Sequence, residues 1–331
     1  MLRHWIELAR VHTAGLTTAL FVGGYLIAGG TVLSIPFFLW FVCGVFYHVC
    51  GFIHNNITDL PYDLVDPRKK HFPLVTGTIN FRKADEIDKY LMVIFCFFAA
   101  YLTKLQPLPT FFLILGISGG FVYDYFSKVT PLAVLGVSFA WGILPTISYY
   151  STTSNFSPVL MWITVYSWFQ VFVQISVLGF IKDMEAPREN NFMRKLGCKV
   201  ECTVSNLDVG YQFICSRVAG SFAFGVKSFH MVLLLLVLVV SNSSTLAWVL
   251  SILFYLVSWV PYKKLMNLKW ERDKVLGRCV LNEAFCFLAS IVAIQGIIGW
   301  ETTLFMLIYP PIWVFVWMRL QWGTWRVGPK V

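Results

Sequence analysis

Residues 37–77 read FFLWFVCGVFYHVCGFIHNNITDLPYDLVDPRKKHFPLVTG. An apolar run long enough to cross a bilayer passes, without a break, into Asn55, Asp59 and Asp63 and then into Arg68, Lys69 and Lys70. Hydrocarbon suits the first half and an aqueous face suits the second, so the junction marks the end of a membrane span. The whole chain has the same character. Of its 331 residues 57% are hydrophobic and only 13% charged, with mean hydropathy +0.69. A water-soluble domain carries about twice that charged fraction, so a soluble globular fold is excluded and a multi-pass integral membrane protein is expected.

Apolar segments near 13–31, 33–54, 88–104, 107–123, 130–150, 158–181, 218–241, 245–262, 279–299 and 302–318 predict an all-α, polytopic transmembrane helical bundle of nine or ten spans. The choice between nine and ten rests on the last pair, where Gly299-Trp300-Glu301 is a tight connection and Pro310-Pro311 breaks the final helix. One domain covers 1–331, with polar loops at about 55–88 and 182–205. The basic N-terminus runs into a full span without a small-residue cleavage site, so it reads as the first helix and not as a signal peptide. The eight cysteines lie mostly in apolar runs without CxxC spacing and read as buried thiols. Cys198 and Cys202 are the exception, since on a helix they would share a face.

The net charge of +9 is distributed on one side of the membrane. Arg68, Lys69, Lys70, Arg82, Lys83 and Lys89 follow the second span; Lys182, Arg188, Arg194, Lys195 and Lys199 follow the sixth. Lys263, Lys264, Lys269, Arg272, Lys274 and Arg278 follow the eighth, and Arg319, Arg326 and Lys330 follow the last. The opposite side offers Lys104 and little else. The positive-inside rule places the charged loops in the cytoplasm or its organellar equivalent. The excess charge therefore reports orientation, and a nucleic-acid partner is not expected. Acidic residues recur on the same side, after alternate spans: Asp59, Asp63 and Asp66, then Asp124, then Asp183, Glu185 and Glu189. This suggests a weak repeat of helix pairs, each delivering polar groups to one end of the bundle.

Asn55, Asp59 and Asp63 are four residues apart, which on a helix stacks them on one face at about 6 Å per step. Carboxylates so arranged repel one another unless a cation lies between them. Mg²⁺ suits this donor set, since it takes oxygen ligands, keeps several waters and completes its shell with substrate phosphate. The adjacent Arg68, Lys69 and Lys70 suit a diphosphate. Pro61, between the two aspartates, predicts that the face continues as an irregular turn. A solvated loop is the plainer reading of the same charges.

The NxxxDxxxD segment, the following PLVTG, YDYFSKVTPL at 123–132 and IKDMEAPREN at 181–190 together resemble the UbiA superfamily of intramembrane prenyltransferases over about residues 10–197. The resemblance implies a helical bundle around a central cavity, in which two acidic motifs bind Mg²⁺ and a prenyl diphosphate of C10 to C20 or longer. It implies Asn55, Asp59 and Asp63 as the first motif and Asp183 as the leading carboxylate of the second, with Asp59, Asp63 and Asp183 the catalytic set. Glu185 and Glu189 are the remaining candidate metal ligands; Arg68, Lys69, Lys70, Lys128 and Lys182 are candidates for the diphosphate. The chain departs from the family pattern at Asn56, where an aspartate is usual, at Phe72 before Pro73, where an arginine is usual, and at Ala186 and Pro187, which replace aspartates of the second motif.

Three functions fit: transfer of the isoprenyl group to an aromatic or other lipophilic acceptor; cyclisation of the cation on its own double bonds, as a terpene cyclase; or ion transport without chemistry. Other polar residues within spans carry competing readings. Glu283 is either functional or an interfacial side chain. His48 and His54 are either general bases or structural hydrogen-bonding groups. Asp124 and Lys128 lie one turn apart and either pair or support the site.

Overall fold

The structure, a computed structural model, describes residues 2–184, 191–205, 208–266 and 272–323. In chain order its helices are α1 (Leu2–Leu8), α2 (Ala14–Ile27), α3 (Ile35–Asp63), α4 (Phe81–Thr103), α5 (Pro107–Phe126), α6 (Ala133–Gly142), α7 (Leu144–Thr152), α8 (Pro158–Val173), α9 (Phe180–Lys182) and α10 (Phe192–Lys195). A hairpin of β1 (Lys199–Ser205) and β2 (Asp208–Ile214) follows, then α11 (Arg217–Val240), α12 (Thr245–Leu265), α13 (Arg272–Ala293) and α14 (Gln295–Trp322). Among the described residues eight helical stretches are long and apolar enough to cross a membrane. The two other segments expected from sequence are also helical: α2, which is shorter, and α4, whose first turns are charged.

The chain forms two compact units. The first comprises Met1–Tyr125, Ile143–Leu160 and Leu304–Val331. Its centre is α2, where nearly every side chain is buried between neighbouring helices. Water does not drive helices together inside a bilayer, so close backbone approach and interhelical hydrogen bonds do that work. Gly24 supplies the approach: a Cβ there would run into the carbonyl oxygen of Pro145 on α7. Ser148 of α7 donates to the carbonyl of Phe21 at 2.5 Å. Thr18 meets the Tyr309 hydroxyl at 3.1 Å, and Trp313 Nε1 donates to the Val11 carbonyl at 2.8 Å. The last two hold α14 at Tyr309 and Trp313, and the helix runs through Pro310 and Pro311 where a break was expected. Its break is at Gly299, whose φ of 75° only glycine adopts readily.

The second unit comprises Phe126–Gly142 and Met161–Thr303. Here α12 packs along α13. Val177, Leu178, Ile181, Met184, Met193, Cys198, Phe213, Tyr262, Leu265 and Val275 belong to one buried cluster. Between α8 and α9 the chain winds as a π-helical turn over Gln174–Gly179. The β1–β2 hairpin was not anticipated. It is antiparallel, from Lys199↔Ile214 to Ser205↔Asp208, and its alternation of Val200, Cys202 and Val204 with polar residues has the period of a strand. Cys202 therefore lies on a strand, not on a helical face shared with Cys198.

Candidate functional site

Ser34 begins α3 by accepting the Phe37 amide, and the helix holds for 29 residues to Asp63, straight through Pro61. The irregular turn expected there does not form. Thr58 donates to the carbonyls of His54 and Asn55 at 3.1 and 3.0 Å, which satisfies backbone acceptors within the polar last turns. Asn55, Asp59 and Asp63 keep helical spacing and form a ladder on one face.

The ladder is partly desolvated. Asp63 is buried, 4% exposed, and Asp59 Oδ1 and Asp63 Oδ1 are both shielded from solvent. Asn55 Nδ2 donates to Asp124 Oδ1 of α5 at 2.8 Å, which leaves the amide oxygen as an acceptor. Asp124 is thus engaged by Asn55 within the first unit. Beyond α3 the chain turns at Pro67–Lys69. Lys69 returns its ammonium to Asp63 at 3.6 Å and lies over the Phe72 ring at 3.9 Å. Arg68 is held differently: its Nε lies 2.9 and 3.1 Å from the two oxygens of Asp66, and a second nitrogen lies 2.6 Å from Oδ2. Lys70 is exposed.

The remaining candidates belong to the second unit. Lys182 ends α9, Asp183 follows as its C-terminal residue, and the Asp183 amide bonds the Gly179 carbonyl at 3.1 Å. Asn191 donates to the Phe180 carbonyl at 2.7 Å and Arg194 to the Met184 carbonyl at 2.5 Å, so the chain returns to the end that carries Asp183. Lys128 lies in the turn after α5, half-buried. Glu185 and Glu189 lie outside the described residues, as do Arg188, Lys269, Arg326 and Lys330 of the topological argument.

The histidines divide. His48 is 1% exposed and is bonded by Thr17 at 2.7 Å, the Arg10 carbonyl at 3.1 Å and Thr13 at 3.2 Å, which is the structural reading. His54 Nδ1 meets Asp88 Oδ2 at 2.8 Å, a pairing with α4 that sequence reading missed because 34 residues separate the partners. Glu283 accepts from Gln174 Nε2 at 3.0 Å, at the start of the π-helical turn. Sequence reading also passed over Lys227, fully buried on α11, which bonds Asn282 Oδ1 at 2.8 Å and lies over the Tyr255 ring at 4.5 Å.

Among the described residues no three His, Cys, Asp or Glu side chains converge as a metal-binding group. The donor set still fits Mg²⁺, because that ion takes one or two carboxylates and fills its octahedron with water and substrate phosphate. Asp59 and Asp63 with the Asn55 oxygen provide hard oxygen donors and no sulfur or imidazole. An apolar groove between α3 and α14, lined by Phe37, Phe41, Tyr309, Trp313 and Trp317, shares α3 with this ladder. On α3 its lining stops at Phe41, about 20 Å along the helix from Asn55, while on α14 it continues to Trp317 and Leu320.

The sequence model of the UbiA prenyltransferase family matches residues 16–193. No curated protein sequence gives a significant match. Among solved structures, a digeranylgeranylglyceryl phosphate synthase aligns with a TM-score of 0.64 at 14% identity, over 90% of this chain and 99% of that one. A UbiA homologue from Aeropyrum pernix K1, in its apo form, gives 0.63 at 16% identity, over 87% and 98%. A UbiA homologue from Archaeoglobus fulgidus, bound to GPP and Mg²⁺, gives 0.58 at 15% identity, over 88% and 99%. At these identities the structures speak for the fold, while the sequence match covers more than half of the chain: this is an integral membrane protein of the UbiA prenyltransferase family.

Proposed function

We propose that the protein is a Mg²⁺-dependent prenyltransferase that moves an isoprenyl group from an allylic prenyl diphosphate to an aromatic or other lipophilic acceptor. The observation that carries the reading is the Asn55–Asp59–Asp63 ladder, kept helical through Pro61 and met at its last carboxylate by Lys69. Such a ladder offers oxygen donors and a cation side by side, and a diphosphate requires both. The A. fulgidus homologue, bound to GPP and Mg²⁺, supplies the ligand class by kinship.

When bound, Mg²⁺ would neutralise the charge that builds on the leaving diphosphate. Asn55, Asp59 and Asp63 would hold it, with Asp183 as the leading carboxylate of a second set. Lys69 adds a preorganised positive charge beside Asp63, with Lys70, Lys128 and Lys182 as further candidates for the diphosphate oxygens. Arg68, forked onto Asp66 through Nε and one terminal nitrogen, shapes the turn that presents Lys69 and is likewise a candidate for the diphosphate oxygens. The transporter reading accounts for the carboxylates but not for the lysine placed on them.

Diphosphate release by the purified protein in nanodiscs, with C10, C15 and C20 allylic diphosphates and an aromatic acceptor panel, tests the reading. Release that requires both Mg²⁺ and an acceptor supports it. Acceptor-independent release yielding a cyclic hydrocarbon replaces it with a cyclase, and no release under any condition removes it.

A further inference from the structure

The β1–β2 register pairs residues whose numbers sum to a constant, from Ser205↔Asp208 back to Lys199↔Ile214. One step further sets Cys198 opposite Cys215. Directly opposed residues in an antiparallel pair have Cα atoms about 4.5 or 5.5 Å apart, and both separations fall within the disulfide range. The sulfurs lie 3.5 Å from each other.

The base of the hairpin is built without using the thiols. The Cys198 amide bonds the Met193 carbonyl at 2.9 Å, and Gly197 takes the positive φ of 93° that lets the chain turn into β1. On the other strand Ser216 donates to the Leu196 carbonyl and caps α11 by accepting the Ala219 amide at 3.1 Å. Closing a bond between the sulfurs therefore asks little of the backbone. Cys198 is 1% exposed within the cluster of Met193, Phe213 and Leu265, whereas Cys215 is only half-buried at its edge. Both lie outside the membrane-crossing helices.

We propose that Cys198 and Cys215 form a redox-active pair, with Cys215 the attacking thiol and Cys198 the resolving one, which a small-molecule disulfide of the glutathione type converts into a reversible intrachain disulfide. The Cys215 thiolate attacks one sulfur of the oxidant and expels one glutathione thiolate, leaving a mixed disulfide. Cys198 then gives up its proton, attacks the Cys215 sulfur and expels the second glutathione. Two protein thiols become one disulfide, and one oxidised glutathione becomes two reduced ones. The hydrogen bond from Cys198 lowers the pKa of the Cys215 thiol below the usual value, which favours the thiolate at the more accessible sulfur. The clip closes beside the Met193–Leu196 turn, which Asn191 and Arg194 tie to the Phe180 and Met184 carbonyls. The inference does not depend on the proposed reaction.

The full-length protein in nanodiscs, equilibrated across a series of reduced-to-oxidised glutathione ratios, acid-quenched, alkylated and digested, provides the test. The expected product is a single Cys198–Cys215 cross-link that disappears on reduction. Because the cross-link suppresses local opening, cleavage by trypsin after Lys199 should slow by about tenfold. In Cys198→Ser the oxidant should leave a stable glutathione adduct on Cys215; in Cys215→Ser Cys198 should stay unmodified. Two thiols alkylated at every ratio, a cross-link to Cys202 instead, or an adduct on wild-type Cys215 that never resolves would each overturn the proposal. The wild-type series decides the matter even if a serine variant fails to fold.

Discussion

Asn55 gives its side-chain amide to Asp124 across 2.8 Å, joining the first step of the acidic ladder on α3 to the last turn of α5. The bond chooses which end of the amide the ladder presents. Asp124→Ala should leave the rungs in place but free the Asn55 amide to rotate. The expected result is a 10 to 100-fold loss of apparent Mg²⁺ affinity, as for other residues that orient a ligand, read from a Mg²⁺ titration of diphosphate release. An unchanged titration would show that Asn55 does not act through its oxygen.

Asp59→Asn and Asp63→Asn remove a charge from the ladder while keeping the shape of the side chain. Each should lower Mg²⁺-dependent diphosphate release by about a hundredfold or more, with thermal unfolding little changed. Wild-type turnover in either variant would dismiss the metal assignment.

Lys69 and Arg68 are neighbours with different partners, so their variants should part company. Lys69→Met takes the ammonium from Asp63 and should raise KM for the prenyl diphosphate by about tenfold. Asp66→Ala leaves the mostly buried Arg68 guanidinium without its fork and should cost about 1–3 kcal/mol. KM measurements and unfolding of both variants separate a substrate contact from a structural one.

Lys227 lies wholly inside the second unit, its ammonium on Asn282, Cys286 and the Tyr255 ring. Lys227→Met retains the stem volume and should change stability by less than about 1.5 kcal/mol. Lys227→Ala leaves a cavity as well and should cost about 2–4 kcal/mol. Unfolding of both variants in the same detergent makes the comparison, and equal losses would show that the charge, and not the packing, matters.

Gly24 admits the Pro145 carbonyl where a methyl would collide with backbone. Gly24→Ala should force α2 and α7 apart and lower Tm by several degrees, whereas Gly23→Ala, one residue away with open space at its Cβ, should not.

The helical fold was legible because hydrocarbon requires long apolar runs, and each expected segment met a helix. Prolines misled: Pro61, Pro310 and Pro311 all sit within helices, a placement that membrane helices tolerate. The Asn55–Asp59–Asp63 ladder was legible from its spacing alone. The His54–Asp88 and Asn55–Asp124 pairs were not, because a partner 34 or 69 residues away leaves no local pattern. Lys227 escaped for another reason: within VAGSFAFGVKSFHMVLL a single cation hardly alters the hydropathy of the span.

The π-helical turn at Gln174–Gly179 bears on where Lys182 and Asp183 lie around the helix axis. Each residue of a helix advances its azimuth by about 100°, so one residue more or less in this turn swings everything beyond it by that angle. Lys182 and Asp183 come directly after it. Their bearing around the helix axis therefore depends on the winding of this turn, and deleting a single residue from it would re-aim Asp183 while every side chain of IKDM stayed the same.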